Sequence, residues 1–209
     1  YENEGLPIFA VTPQNEPLFQ SPRYPTAIFP ARSEAQFIKG FLKPAFRREG
    51  IHTQIWGFDH NWSDWSYPMN LLKEAENGVD GIAWHWYDGT AQAQEKVRKE
   101  YPDKGIYFTE GSGGEWIPEF EPAFRNVLRR GIEIFRNGSS SFILWNIALD
   151  QNNGPVVPGF GKSICRGLLR ISNKDFSIEY TTDYYALSHF SKFLQSDAVR
   201  ISSEAGSPL

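Results

Sequence analysis

Two stretches of the chain, IFAVTPQNEP at positions 8–17 and IYFTEG at positions 106–111, share one pattern. In each, a short apolar run ends at a turn, and a glutamate, Glu16 or Glu110, follows that run. A short apolar run bounded by turn residues is typical of a buried β-strand. We therefore expect both carboxylates to lie at strand ends.

Apolar runs alternate with longer amphipathic stretches along the chain, which is typical of strands and helices in a parallel-sheet protein. Ser33 and Gln36 have capping-box spacing and predict the start of the first helix, which Gly50 ends. Asn173 and Lys174 predict the turn of a hairpin. The predicted strands span residues 8–11, 53–58, 81–86, 105–109 and 142–145, and the later helices span 67–76, 91–100, 118–136 and 184–194.

Five strand-helix repeats fit an α/β fold, either an open doubly wound sheet or part of an eight-stranded barrel. The doubly wound fold usually carries a glycine-rich phosphate turn, and neither candidate turn has the required spacing. Trp116 stands where the turn at 111–114 needs its last glycine, and Val156 where a phosphate loop ending at Ser163 needs its first. The sequence therefore predicts no nucleotide site.

Composition excludes several classes of function. The net charge of -4, without basic clusters, gives no reason to expect nucleic acid or an anionic membrane surface as a partner. No stretch approaches the roughly 20 apolar residues of a membrane span. The single cysteine, Cys165, excludes an internal disulfide and a multi-cysteine zinc site, and four histidines give little reason to expect a metal cage.

The pair Glu16 and Glu110 is the best candidate for chemistry. Hydrolysis of a glycosidic bond needs one carboxyl group as proton donor and another as nucleophile or base. An ionised Glu110 nearby would keep Glu16 protonated until the leaving group departs. An isolated loop glutamate is usually a solvated turn residue, but two at equivalent strand ends favour the glycosidase hypothesis.

Aromatic residues cluster in or just after the predicted strands. We expect Trp56 and Trp84 in the core, and Trp86, Trp116 and Trp145 at the mouth of a sugar site, because sugar C–H faces stack on aromatic rings.

Strand alternation sends His85 and Tyr87 to one face and Trp86 to the other. A single histidine at such a position is more often a structural hydrogen bonder than a ligand. Asp59 and His60 either contact sugar hydroxyls or form a turn, and the residues alone leave both readings open.

These residues resemble a known family, glycoside hydrolase family 30, which includes glucosylceramidases and β-1,6-glucanases. The resemblance runs almost from end to end, and the order and spacing of its motifs are specific. The motifs are VTPQNEP (11–17), DHNW (59–62), HWY (85–87), FTEG (108–111), WNIALD (145–150), CRG (165–167) and YALSHFSKF (185–193).

The resemblance implies a retaining β-glycosidase with Glu16 as acid/base on barrel strand 4 and Glu110 as nucleophile on strand 7. It implies that Asn15 binds the sugar 2-hydroxyl and that His85, Tyr87 and Trp145 line the pocket. The substrate would be a carbohydrate or glycolipid with a β-glucosidic bond, in a secreted or lysosomal enzyme. No cofactor or metal is implied, and oligomeric state is left open.

The resemblance also implies a partial (β/α)8 barrel, strands 4 to 8, over residues 1–197, and the start of a β-sandwich over 198–209. We expect such a 209-residue piece to be unstable and nearly inactive by itself, while the parent enzyme is active. The alternative function is a non-catalytic carbohydrate-binding or partner-binding barrel derived from such an enzyme. Retention of both glutamates argues against that alternative.

Overall fold

The computed structural model describes residues 1–159 and 161–203, apart from the side chain of Glu2. The chain forms two compact units. The first contains residues 1–109 and 137–141, and the second contains residues 110–136 and those from 142 onward.

A parallel sheet organises the first unit. Its strands are β1 (Ala10–Val11), β2 (Gln54–Asn61), β3 (Gly81–His85) and β4 (Gly105–Glu110), and they neighbour one another in chain order. A doubly wound sheet contains a point where strand order reverses, whereas a barrel adds each new strand beside the last. The consecutive order is therefore that of a barrel sector, which resolves the alternative left open by the sequence.

The helices of the first unit follow the strands as the hydrophobic pattern indicates. They are α1 (Ala31–Phe37), α2 (Lys43–Arg48), α3 (Ser66–Ala75) and α4 (Gln92–Glu100), and a π-helical segment, Ile38–Leu42, joins the first two. The capping box expected at Ser33 is wrong. Pro30 is the N-cap residue, in an extended conformation, and its carbonyl accepts the Glu34 N–H, so the helix begins two residues before Ser33.

Large aromatic side chains fill the core of the first unit. Phe58, Trp84 and Phe108 are fully buried, and Trp56 stacks on Tyr107 with ring centroids 3.7 Å apart. The core positions expected for Trp56 and Trp84 are thus confirmed. Trp86 does not reach the rim, because it is buried against Phe108 with ring centroids 5.3 Å apart.

Two packed helices and a small sheet form the second unit. The helices are α5 (Phe120–Arg136) and α6 (Thr182–Ser191), and the sheet contains β5 (Ala148–Asp150), β6 (Leu169–Ile171) and β7 (Ile178–Tyr180). Strands β6 and β7 are antiparallel, which confirms the hairpin expected around Asn173 and Lys174.

The hydrophobic spacing over residues 118–136 predicts Phe120 on the apolar face of this helix, but Phe120 is exposed and the buried residues include Ala123 and Gly131. Small residues lie there because α6 approaches closely. A Cβ on Gly131 would lie 2.6 Å from the ring of Phe190.

The fifth strand expected over residues 142–145 does not form a regular strand. A backbone hydrogen bond nevertheless fixes the end of this segment, because the Trp145 N–H donates to the Gly111 carbonyl over 2.8 Å. The regular strand, β5, begins only at Ala148.

Residues 198–203 contain no helix or strand, and residues 204–209 of the expected sandwich start lie outside the described residues. Within the described residues, no helix combines the length and apolarity needed to cross a membrane.

Glu34 is a buried carboxyl group beneath the sheet, only 1% exposed. Its side-chain oxygens accept the Phe58 N–H at 3.2 and 3.4 Å. Burial raises the pKa of Glu34 to about 7, although Tyr67 and the Phe58 N–H oppose that rise. The Tyr67 hydroxyl also donates to the Phe29 carbonyl over 2.6 Å.

We expect Glu34→Gln to stabilise the protein at pH 8 by about 3 kcal/mol and to have little effect at pH 4.5. The native state holds the Glu34 proton more tightly than the unfolded state, so wild-type stability falls as pH rises from 4.5 to about 7. Glutamine keeps an acceptor for Phe58 but cannot ionise. Urea unfolding at both pH values measures the effect.

Glu74→Gln, at an exposed position on α3, is the matched control and should be neutral at both pH values. Equal stabilities of Glu34→Gln and wild type at pH 8 would contradict the raised pKa.

Candidate active site

The candidate site of the first unit lies where its strands end. In β2 the pairing with β3 shifts between Phe58 and His60, which marks a β-bulge. Phe58, Asp59 and Glu16 all have left-handed backbone conformations, with φ of 76°, 56° and 47°. Such conformations are uncommon for residues other than glycine and cluster at functional sites. The bulge directs the Asp59 side chain toward the site. The backbone carbonyl of Asp59 accepts a hydrogen bond from the Glu16 N–H over 3.0 Å.

Asp59 joins all four strands of the sheet. Its carboxylate accepts hydrogen bonds of 2.7 Å from the hydroxyls of Thr12, just after β1, and Thr109, in β4. At the end of β3, His85 Nε2 lies 3.0 Å from the same carboxylate. Burial alone would raise the pKa of Asp59, but the bonds from His85, Thr109 and Thr12 and the charge of His85 outweigh it and hold that pKa below its usual value.

His85 lies between two carboxyl groups. Its Nε2 contacts Asp59, and its Nδ1 lies 3.0 Å from Glu16 Oε1. A neutral imidazole has one N–H, so two hydrogen bonds to ionised carboxylates require a second proton on His85. The other possibility is that the Glu16 carboxyl carries that proton and donates it to Nδ1. Either way, Glu16 and His85 share one proton at the site.

His60 lies beside this pair. Its Nδ1 is 3.7 Å from Glu16 Oε1, too long for a hydrogen bond, and this buried nitrogen has no hydrogen-bond partner among the described residues. Burial, the largest cause, lowers the pKa of His60 despite the charges of Glu16, Asp64 and Asp59. His60 is therefore a neutral imidazole at pH 7.

The cluster is open on the side of Glu16. Glu16 and Asn15 line a surface cavity together with Phe19, Tyr24 and the segment 25–27. The Tyr87 ring lies edge-on to His85, with centroids 6.1 Å apart, and Tyr87 is 44% exposed. The structure thus brings together Glu16, Asp59, His60, His85 and Tyr87, and it puts Asn15 at the opening beside Glu16.

Glu110 is the last residue of β4 and the first residue of the second unit. A buried ion pair fixes the loop that follows it. Arg166 donates to Asp183 over 3.0 Å and to the carbonyls of Gly114 and Ile117 over 2.8 Å each. A Cβ on Gly113 would lie 2.1 Å from the Asp183 carboxylate, so only glycine allows that approach.

Trp145 is anchored to this loop through its backbone bond to Gly111, and its side chain is 40% exposed. Trp116 is 49% exposed. Both exposures agree with the expectation of accessible aromatic rings at these two positions. The burial of Trp86 does not agree with that expectation.

Sequence reasoning missed four supporting residues: Thr12, Thr109, Arg166 and Asp183. The first three lie inside the family motifs, and this position was the signal in the sequence that could have identified them. Asp183 had no signal, because its role depends on the close approach of α6 to the loop after Glu110.

Comparison with known proteins agrees with this architecture. The model of the glycosyl hydrolase family 30 TIM-barrel domain matches residues 1–194. The endo-1,6-β-D-glucanase neg1 of Aspergillus fumigatus is 32% identical over 203 residues, which is 95% of this chain and 40% of that protein. Lysosomal acid glucosylceramidase of Mus musculus is 24% identical over 96% of this chain and 42% of that protein.

Among solved structures, the endo-β1,6-glucanase BT3312 aligns with a TM-score of 0.88 and 29% identity, over 99% of this chain and 48% of that one. The sheet of consecutive parallel strands, with polar residues at the strand ends, therefore defines a partial (β/α)8 barrel. The chain belongs to glycoside hydrolase family 30. It spans about 40% of the length of the curated relatives it matches.

We expect Asp59→Asn to lower the free energy of unfolding at pH 7 by about 3 kcal/mol, because the neutral amide cannot accept all the hydrogen bonds that the buried carboxylate accepts. The NH2 group of the asparagine would also replace a carboxylate oxygen, so that a donor would face the donor of Thr12 or His85. Urea unfolding measures the loss.

Asp88→Asn, an exposed aspartate in the loop after β3, is the control and should change stability by less than about 0.5 kcal/mol. Equal effects of the two substitutions would show that Asp59 does not hold the strand ends together.

Proposed function

We propose that the protein is a retaining β-glycosidase that hydrolyses β-glucosidic bonds, with Glu16 as acid/base and Glu110 as nucleophile. The observation that carries the proposal is the bond between Glu16 and His85, because a carboxyl group that shares a proton is suited to donate one. Membership of family 30 supports the same reaction class. The non-catalytic alternative has no observation in its favour.

The proposed reaction proceeds by double displacement. Glu110 attacks the anomeric carbon while Glu16 protonates the departing glycosidic oxygen, and a glycosyl ester forms on Glu110. Glu16, now ionised, then removes a proton from water, which attacks the ester and releases the sugar. Retaining enzymes of this kind hold the two carboxyl groups about 5 Å apart.

The remaining site residues have supporting roles in this proposal. Asp59 and His85 orient Glu16, and Asn15 and Tyr87 bind sugar hydroxyls at the opening of the cavity. Trp145 offers an exposed aromatic face for the sugar ring. His60 lies close enough to Glu16 to contact a hydroxyl beside the scissile bond.

We favour a β-1,6-glucan as substrate over glucosylceramide. The identity to the Aspergillus fumigatus endo-1,6-β-glucanase is 32%, against 24% for the mouse glucosylceramidase. The structural match to BT3312, which is also described as an endo-β1,6-glucanase, agrees with this preference. A secreted or lysosomal location stays a prediction, and the name of the mouse relative agrees with it. The division into a barrel part and the start of a sandwich also stays a prediction.

We expect a 2-deoxy-2-fluoro-β-glucoside with a good leaving group to label Glu110 in the full-length protein. Glu110→Gln should abolish labelling and turnover. Glu16→Gln should slow β-1,6-glucan hydrolysis by about 10²- to 10⁴-fold, but the formation of the ester from the activated glucoside much less, because such a leaving group needs little protonation. Mass spectrometry of peptides and initial rates measure these effects.

Glu119→Gln, at an exposed position before α5, is the matched control and should retain labelling and turnover. A label on any other residue, or full activity of Glu110→Gln, would refute the assignment. Substrate binding without hydrolysis by the wild-type protein would favour the non-catalytic alternative.

We expect the full-length protein to cleave a linear β-1,6-glucan faster than a β-1,3-glucan or detergent-dispersed glucosylceramide. Values of kcat/KM for the three substrates measure the preference. A preference for glucosylceramide would keep the reaction class but reverse the substrate assignment.

A further inference from the structure

Three potential metal-ligand atoms meet beside the proposed acid/base: Glu16 Oε1, His60 Nδ1 and His85 Nδ1. One potential ligand atom of each residue lies within 4.8 Å of the others, and the distances from Glu16 Oε1 are 3.0 Å to His85 Nδ1 and 3.7 Å to His60 Nδ1. Tetrahedral Zn²⁺ with bonds of about 2.0–2.1 Å places its ligand atoms about 3.3 Å apart. The two distances from the Glu16 oxygen therefore lie on either side of this value, and a metal ion would bind after His60 moves closer to the other two residues.

The two histidines are prepared for this role in different ways. His60 is 5% exposed, and its Nδ1 has no hydrogen-bond partner in the described part of the chain. His85 directs its Nε2 at Asp59, so an N–H at Nε2 leaves the Nδ1 lone pair facing Glu16. Carboxylate-histidine-metal arrangements of this kind fix the tautomer and increase the basicity of the ligand.

We propose that Glu16, His60 and His85 form an inhibitory site for a borderline divalent metal ion such as Zn²⁺. Two imidazoles and one carboxylate match the ligand preference of Zn²⁺ and leave a fourth position for water. The side chain of Glu16 is 17% exposed and borders the surface cavity, which gives the ion a route of entry. This site goes beyond the sequence-based expectation that four histidines build no metal cage.

The inhibitory effect follows from the proposed function and rests on it. A metal ion bound to Glu16 Oε1 displaces the proton that this carboxyl group would donate to the leaving group, so metal and proton compete for one carboxyl group. Lower pH weakens the metal complex, because protons compete for both imidazoles and for Glu16.

The test begins with metal binding, measured without reference to activity. We expect the metal-free full-length protein to bind Zn²⁺ in calorimetry and Co²⁺ with visible d–d absorption, through a site that depends on His60. His60→Ala should weaken Zn²⁺ binding more than about tenfold, since loss of even an outer partner of a ligand costs 10- to 100-fold. His52→Ala, which removes an exposed histidine, is the matched control and should bind as wild type.

If His60→Ala fails to fold, His60→Gln keeps a polar side chain of similar length and serves in its place. Glu16→Gln should weaken Zn²⁺ binding as well. Unchanged Zn²⁺ affinity in the His60 variant, or no Zn²⁺ binding by the wild type, would overturn the metal site.

Inhibition is measured separately from metal binding. Zn²⁺ should inhibit β-1,6-glucan hydrolysis at the concentration that half-fills the His60-dependent site, and EDTA should restore the rate. Binding without any glycosidase activity would refute the proposed function and leave the metal site standing. Zn²⁺ binding that leaves hydrolysis unchanged would overturn the inhibitory role.

Discussion

The carboxylate of Asp59 is the constraint on which the candidate site depends. It accepts hydrogen bonds from Thr12 and Thr109 and contacts His85 Nε2, and the backbone carbonyl of Asp59 accepts a hydrogen bond from the Glu16 N–H. The ends of four strands are thereby fixed by one residue. A buried carboxylate is stable only when its hydrogen-bonding capacity is filled, so the same bonds that hold Asp59 ionised also fix the position of the proposed acid/base.

Local strain accompanies that arrangement. Phe58 and Asp59 adopt left-handed conformations at a bulge, and Glu16 adopts one after β1. Regular strands would send Asp59 to the other face, since one extra residue in a strand reverses the side-chain direction. The bulge therefore places a charged residue toward the site, and the surrounding hydrogen bonds offset its cost.

Buried ionisable groups serve different purposes in the two units. Glu34 lies beneath the sheet with its pKa raised by burial, and it holds the backbone of Phe58 next to the bulge. Arg166 and Asp183 form an ion pair that holds the loop after Glu110 by bonds to two carbonyls. His60 differs from these, because it has a buried nitrogen directed at Glu16 with no bond to it.

The sequence by itself determined the strand-helix order of the first unit, the hairpin of the second and the positions of Glu16 and Glu110 at strand ends. Hydrophobic periodicity and turn residues act locally, so they are readable without a structure. Tertiary structure alone decided the burial of Trp86, the irregular backbone over residues 142–145, the Asp59 network and the orphan nitrogen of His60. Those features arise from contacts between residues distant in the chain, and neither composition nor spacing encodes the distances on which they depend.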